Sequence, residues 1–324
     1  MVTRTVTVPR ITSVVAHPGS RAGAYYREGR AAGFPPHPSN NLRYFGGKTI
    51  PHLTFTNVYL GGKAAWNADD VRKIDASLSA AMCDARLNNV LAQYYDVKPT
   101  TTFKPSRILE GPLPSRVFRD TVEGFAAALD LSGFDLSSTV FCLMLPRGVA
   151  LVDGTSKGHQ RRRDVERENP VLAEHDEAVD SWHGLGGYHG SIHPKRGKTK
   201  ETVYYAVGVY SEGRNGIVAF DQPWKSVCAT FYHELCEART DPDVEDAIRA
   251  GSSSKANSFL GWYSPRMGEI GDIPMEEAGA NLGAVMKEVP LGGGGTAPIQ
   301  LMWSNAVAAP EGPIARKHRA APHS

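Results

Sequence analysis

The tightest constraint on this chain is a stretch with no helix breakers that ends at a proline. After Pro223, residues 224–241 contain neither Gly nor Pro, and Pro242 follows. Proline cannot donate a backbone hydrogen bond and disfavours helix at the residue before it, so a helix over this stretch must stop there. Within it, residues 231–243 read F-Y-H-E-L-C-E-A-R-T-D-P-D and place His233, Glu234 and Glu237 close together. Residues four apart share a helical face, so His233 and Glu237 point the same way. An imidazole beside a carboxylate is a donor pair for a divalent metal. Glu234 is rotated off that pair, where the Glu of H-E-x-x-H enzymes acts as general base on metal-activated water. The position of the second zincin His is here Glu237. Carboxylate is an acceptable zinc ligand, but an oxygen-rich set shifts preference toward Mn, Mg or Ca. The alternative is a surface helix whose Glu234 and Glu237 are solvated.

Composition limits the remaining possibilities. A chain of 324 residues with 41% hydrophobic content can bury a full core. A formal net charge of +2 gives no electrostatic argument for nucleic acid or membrane. With 33 Gly and 22 Pro, a loop-rich globular protein is expected and a helical bundle is not. The four cysteines, Cys83, Cys142, Cys228 and Cys236, show no C-x-x-C spacing. Cys228 and Cys236 would lie about 12 Å apart along a helix, too far for a disulfide. No segment approaches the roughly 20 apolar residues of a membrane span. The N-terminus has no apolar signal core. The chain as written is therefore expected to be soluble and cytoplasmic, or secreted if a signal peptide has been removed.

The pattern along the chain predicts a single-domain α/β (α+β) protein with a mixed sheet and a zincin-like central helix. Residues 1–41 carry a short β-like run and a Pro-rich turn segment, and read as an N-terminal arm or disorder. The domain is expected over 42–305, with a strand at 51–60 and a helix opened by Asn67 that presents Val71, Ile74, Leu78, Ala81 and Met82. Residues 97–108 read as coil or edge strand, and 113–129 as a helix. Residues 137–145 read as a buried strand with 148–152 as its partner. Further strands are expected at 202–210, 217–220 and 299–305. A charged insertion spans about 156–182. Its Arg161, Arg162 and Arg163 either grip phosphate or, given the interleaved acids, belong to a solvated segment. Residues 306–324 read as a disordered tail.

Five ordered pieces carry a resemblance. They are Gly46-Gly47 with Val58-Tyr59 and Trp66; Gly187-Tyr188-His189 with Tyr205-Ala206-Val207; the helix motif from His233 to Pro242; Gly261-Trp262-Tyr263 with Glu269-Ile270-Gly271-Asp272; and Trp303-Ser304-Asn305. In this order they resemble a family of bacterial and fungal zinc-peptidase-like proteins. More distantly they resemble the plant Exordium-like, phosphate-induced proteins, which differ at the second Glu of the helix motif. The resemblance implies the zincin-like fold and a metal site, and it implies no substrate. Such relatives are usually exported and often carry Cys after E-I-G-D, where this chain has Ile273-Pro274.

A metal needs more ligands than His233 and Glu237. Asp243 follows His233 at the third-ligand spacing of extended H-E-x-x-H motifs, but Thr240 replaces the Gly that turns the chain there. Asp241 is either a ligand or a cap of the helix end. Glu269 and Asp272 come from a Gly-punctuated turn, as the distant Glu does in gluzincin-type sites, and are the favoured candidates. His189, between Gly residues and a strand, is a further ligand or an oxyanion stabiliser; His183 and His193 are weaker candidates. The expected cofactor is zinc, with calcium or no metal as the alternative. The expected function is a metal-dependent, peptidase-like hydrolase acting on a peptide or protein, with Glu234 as general base. The alternative is a non-catalytic binding or structural protein with an acidic cluster. Nucleic-acid binding through the triple Arg would require a salt-dependent affinity.

Overall fold

The computed structural model describes residues 13–15, 29–156, 179–196, 199–251 and 255–314. Six strands make one mixed sheet: β1 (Ser13–Val15), β2 (His52–Leu60), β3 (Thr100–Leu109), β4 (Thr139–Leu145), β5 (Leu185–Ile192) and β6 (Val203–Val209). Their spatial order is β1-β5-β6-β4-β2-β3. Strands β3, β2, β4 and β6 run parallel, whereas β5 lies antiparallel to β6, and β1 antiparallel to β5. The expected α/β class with a mixed sheet is what the chain forms.

Parallel neighbours need crossovers, and helices supply them. Helix α1 (Ala68–Cys83) links β2 to β3 and starts at Asn67, whose side chain accepts from the Asp69 N–H. Its buried residues are Ile74, Leu78, Ala81 and Met82, from the stripe read in the sequence. Helix α2 (Arg119–Ala128) precedes β4. Every residue of β4 is buried, as suits a parallel strand covered on both faces. Alternation sends Val140, Cys142 and Met144 to one face and Phe141, Leu143 and Leu145 to the other. The second face carries α2. The first carries α1 and helix α3 (Pro223–Thr240).

Helix α3 is the element the rest encloses. It packs on β5 and β6 and is covered by α1 and by the hairpin of β7 (Met286–Pro290) and β8 (Thr296–Gln300). Each residue from Ser226 to Thr240 is buried. A helix enclosed all round is ordinarily apolar all round. This one instead buries His233, Glu234, Glu237 and Arg239, so each needs an internal partner. The solvated-helix alternative is excluded, because both glutamates are 0% exposed.

After Pro242 the chain resumes in α4 (Val244–Ala250), and the loop that follows leads into α5 (Asp272–Ala278). The last described hairpin joins β9 (Met302–Ser304) to β10 (Ala309–Glu311). No helix among the described residues is long and apolar enough to cross a membrane.

Several local expectations give way. Within 113–129 the helix starts only at Arg119. Residues Arg116–Phe118 form a strand that pairs with Ala150–Val152, which is therefore not the partner of β4. Residues 217–220 are not a strand, because the Ala219 and Phe220 amides turn to the Ser226 hydroxyl of α3. The arm does not give way: Ser13–Val15, inside its β-like run, adds to the sheet edge. In the expected tail, Ala309–Glu311 is buried, and the Ala31 amide donates to the Pro310 carbonyl. The cause is Asn305, whose side chain bonds the Leu42 amide and carbonyl and so anchors the turn between β9 and β10. Residues 157–178 of the charged insertion, the triple Arg among them, lie outside the described residues.

Arg239 shows how α3 is fixed to the sheet. Its guanidinium donates to the carbonyls of Ile50, Pro51 and Thr100 and to the Thr101 hydroxyl, and it lies over the Tyr95 ring. Arg239→Ala should cost about 3 kcal/mol of unfolding free energy, because buried acceptors lose a charged donor. Arg239→Lys should recover little of it, since an ammonium lacks the planar fork. Urea denaturation of the two variants checks this; equal stability of Lys and Arg would show that the fork is not what matters.

Candidate metal centre

Four segments deliver the site: α3, strand β5, the loop that enters α5, and the end of β8. On α3 the spacing of four brings His233 Nε2 to 3.1 Å from Glu237 Oε2. The other Glu237 oxygen, Oε1, accepts the Gly271 and Asp272 amides at 3.1 Å each, which leaves Oε2 free. His233 Nδ1 lies 2.9 Å from Gln300 Oε1. The Gln300 amide is oriented by its own Nε2, which donates to the Gly271 carbonyl at 2.6 Å. An amide oxygen can only accept, so Nδ1 carries a proton, and in the neutral ring Nε2 presents its lone pair. That is the tautomer of a metal-ligating histidine held by a partner behind it.

Asp272 Oδ1 stands 3.8 Å from the same Nε2, and its side chain keeps 17% of its surface exposed. On β5, alternation turns His189 toward α3, on the face opposite Tyr188. Its Nδ1 is 3.5 Å from Glu234 Oε2 and 3.7 Å from Glu237 Oε2. Its Nε2 is 3.4 Å from Glu269 Oε1 and 3.2 Å from the Asp241 carbonyl. Two sets of donor atoms converge within 4.8 Å: His233, Glu237 and Asp272, and His189, Glu237 and Glu269.

These donors fit a divalent cation. Both oxygens of Glu234 and of Glu269, Glu237 Oε2, Asp241 Oδ2, His189 Nδ1 and His233 Nε2 are buried without a hydrogen-bond partner. Buried polar atoms are normally satisfied, so this concentration calls for a positive charge. Tetrahedral zinc bonded at about 2.1 Å sets its donors about 3.4 Å apart, and the observed spacings of 3.1 and 3.8 Å bracket that.

The electrostatics agree. Burial raises the Glu234 pKa, and burial with the Glu237 charge raises those of Glu269 and Asp272 well above the carboxylate range. Burial lifts Asp241 to about 8 against the opposing Gly261 N–H bond. Burial disfavours charge on His233, but Glu237 outweighs it and pushes the imidazole up to about 10. Each shift expresses excess negative charge seeking a proton or a cation.

Of the residues named from sequence, His233, Glu237, Asp272, His189 and Glu269 meet in the two sets, with Glu234 beside them. Asp241 belongs to neither. Its Oδ1 accepts the Gly261 amide at 2.8 Å and so pins the loop that carries Glu269 and Asp272. Asp243 lies among Lys48, Ser191 and Tyr204 instead. His193 bonds Thr202 and Asp246, and the partly exposed His183 bonds Asp180. Sequence reading missed Gln300 and Gly271. The signal for Gln300 was a lone polar residue ending an apolar strand. A Cβ on Gly271 would lie 2.5 Å from His233 Nδ1 and 2.9 Å from Glu237 Oε1, so only Gly allows that approach.

Comparison with protein-family models, curated proteins and solved structures finds no match for this chain.

Gln300→Leu removes the acceptor behind His233 and should weaken divalent-metal affinity about 10–100-fold with the fold retained. Calorimetric titration with zinc and with manganese reads this; unchanged affinity would show that Gln300 does not orient the imidazole. Gly271→Ala should lower affinity similarly and also destabilise the protein by about 1–3 kcal/mol through overpacking. Thermal unfolding measured alongside the titration separates the two effects.

Proposed function

We propose that this protein is a metal-dependent hydrolase of the peptidase-like type. The observation that carries the reading is Glu234. It belongs to neither donor set, is wholly buried, and has His189 Nδ1 at 3.5 Å as its nearest basic neighbour, with no shorter hydrogen bond to either oxygen; its charge also acts on His233 and Asp272. A carboxylate placed so has the position of a general base. Burial raises its pKa, which moves it toward the range where a base both takes and returns a proton near neutral pH.

His233 and Glu237, with Asp272, hold the cation in this reading, and Gln300 keeps His233 in the ligating tautomer. A divalent cation held there would polarise a carbonyl and lower the pKa of water toward about 7. Glu234 takes the proton from the attacking water and delivers it to the leaving amine. His189, 3.5 Å from Glu234, orients that carboxylate. With carboxylates outnumbering imidazoles, the cation is a weaker Lewis acid than in a three-histidine site, so turnover should be slow.

One observation favours a second reading, a structural cation site. Apart from Asp272, each candidate donor is 0% exposed. Structural metal sites are closed, whereas catalytic ones keep an open position.

The test is elemental analysis of protein purified without chelator or affinity metal, followed by a peptide-library assay. Wild type should carry zinc or another divalent metal, His233→Ala should lose it, and Glu234→Gln should keep it while hydrolysis falls at least about 100-fold. Metal retained with no hydrolysis in wild type selects the structural reading. No divalent metal in wild type overturns both.

A further inference from the structure

The two donor sets share one atom's neighbourhood, that of Glu237 Oε2. It is 3.1 Å from His233 Nε2 and 3.7 Å from His189 Nδ1. The imidazoles do not fall in a common set, so one ion does not engage both in this arrangement. We propose that the centre binds two divalent cations bridged by Glu237, the first on His233 and Asp272, the second on His189 and Glu269. The inference rests on the cation reading above and extends it.

His189 makes the case for the second position. Each of its nitrogens faces a carboxylate oxygen, Nδ1 toward Glu234 and Glu237, Nε2 toward Glu269. A carbonyl only accepts, so in the neutral imidazole Nε2 holds the proton toward Asp241 and Nδ1 points its lone pair at the Glu234 and Glu237 oxygens. A cation between them removes that repulsion. Glu269 repeats the argument, being 0% exposed with neither oxygen partnered. Tyr263, wholly buried, also has a hydroxyl without a hydrogen-bond partner.

Charge points the same way. Five carboxylates meet here: Glu234, Glu237, Asp241, Glu269 and Asp272. Among the described residues no ion pair joins any of them to Lys or Arg; the only pairs are with His189 and His233. When all five are ionised, one divalent ion leaves three net negative charges in a buried site, and a second leaves one. Each subsite offers one imidazole and at least two carboxylates, a mixed set that suits manganese or zinc. Ions sharing one carboxylate oxygen would sit about 3.5–4 Å apart, the separation of two-metal hydrolytic sites.

Manganese tests this on the full chain, with stoichiometry from elemental analysis and coupling from electron paramagnetic resonance. Wild type should bind two ions per chain and show the spectrum of a spin-coupled pair. Glu269→Gln, close in shape and checked for fold by circular dichroism, should bind one ion and show the spectrum of an isolated ion. One ion per chain in wild type overturns the second subsite and leaves the single-ion reading standing; a doubly protonated His189 then balances Glu234 and Glu269. Two ions without coupling, or two retained in Glu269→Gln, also overturn it, because the second ion then sits elsewhere. No ion overturns this proposal and the metal reading together.

Discussion

The structure depends on negative charge buried around one helix without a basic side chain to balance it. Helix α3 carries Glu234 and Glu237 into a fully enclosed space, and the loop before α5 adds Glu269 and Asp272. The desolvation cost of such a cluster is several kcal/mol per ion unless something compensates it. Arg239, on the same helix, does not: it is committed to the carbonyls at the start of β2 and β3. The charge is therefore answered at the site itself, by protons or by metal. A fold that merely needed the helix buried would be more stable with apolar residues at these positions.

The placement of the donors follows from the sheet. Where β5 turns antiparallel against β6, strand alternation faces His189 to α3. Gly187, two residues earlier on the same face, leaves room there for the Glu234 side chain. The Glu269–Asp272 loop is held by Glu237 on the Gly271 and Asp272 amides, by Gln300 on the Gly271 carbonyl and by the Trp303 amide on the Ile270 carbonyl, while Asp241 fixes Gly261 ahead of it. The helix motif, the G-W-Y loop and the late W-S-N thus belong to one mechanical unit. Asp241 caps nothing on its own helix with its carboxylate; it spends Oδ1 positioning the ligands of another segment.

Much of this was legible in sequence because it is local. The i, i+4 spacing of His233 and Glu237, the stop at Pro242, the Asn67 cap and the apolar run of β4 each follow from a few adjacent residues. Relations between distant segments were not. Gln300 is one polar residue at a strand end, and only the fold places it behind His233. Strand Arg116–Phe118 was merged into α2 because Val117 and Phe118 happen to continue its apolar spacing. The burial of Glu234 was invisible for a deeper reason: two Glu and one Arg among largely apolar residues are what a helix with one solvated face also shows, and full enclosure comes from what packs over it.

The same contacts that assemble the site also close it. Glu237 uses Oε1 to hold the Gly271 and Asp272 amides and leaves Oε2 facing His233 and His189. Asp272 is the one partly exposed donor of the two sets. The start of α5 that carries it is held to α3 by the two hydrogen bonds on Glu237. A single carboxylate thus ties the start of α5 to α3 through one oxygen and turns the other toward both imidazoles.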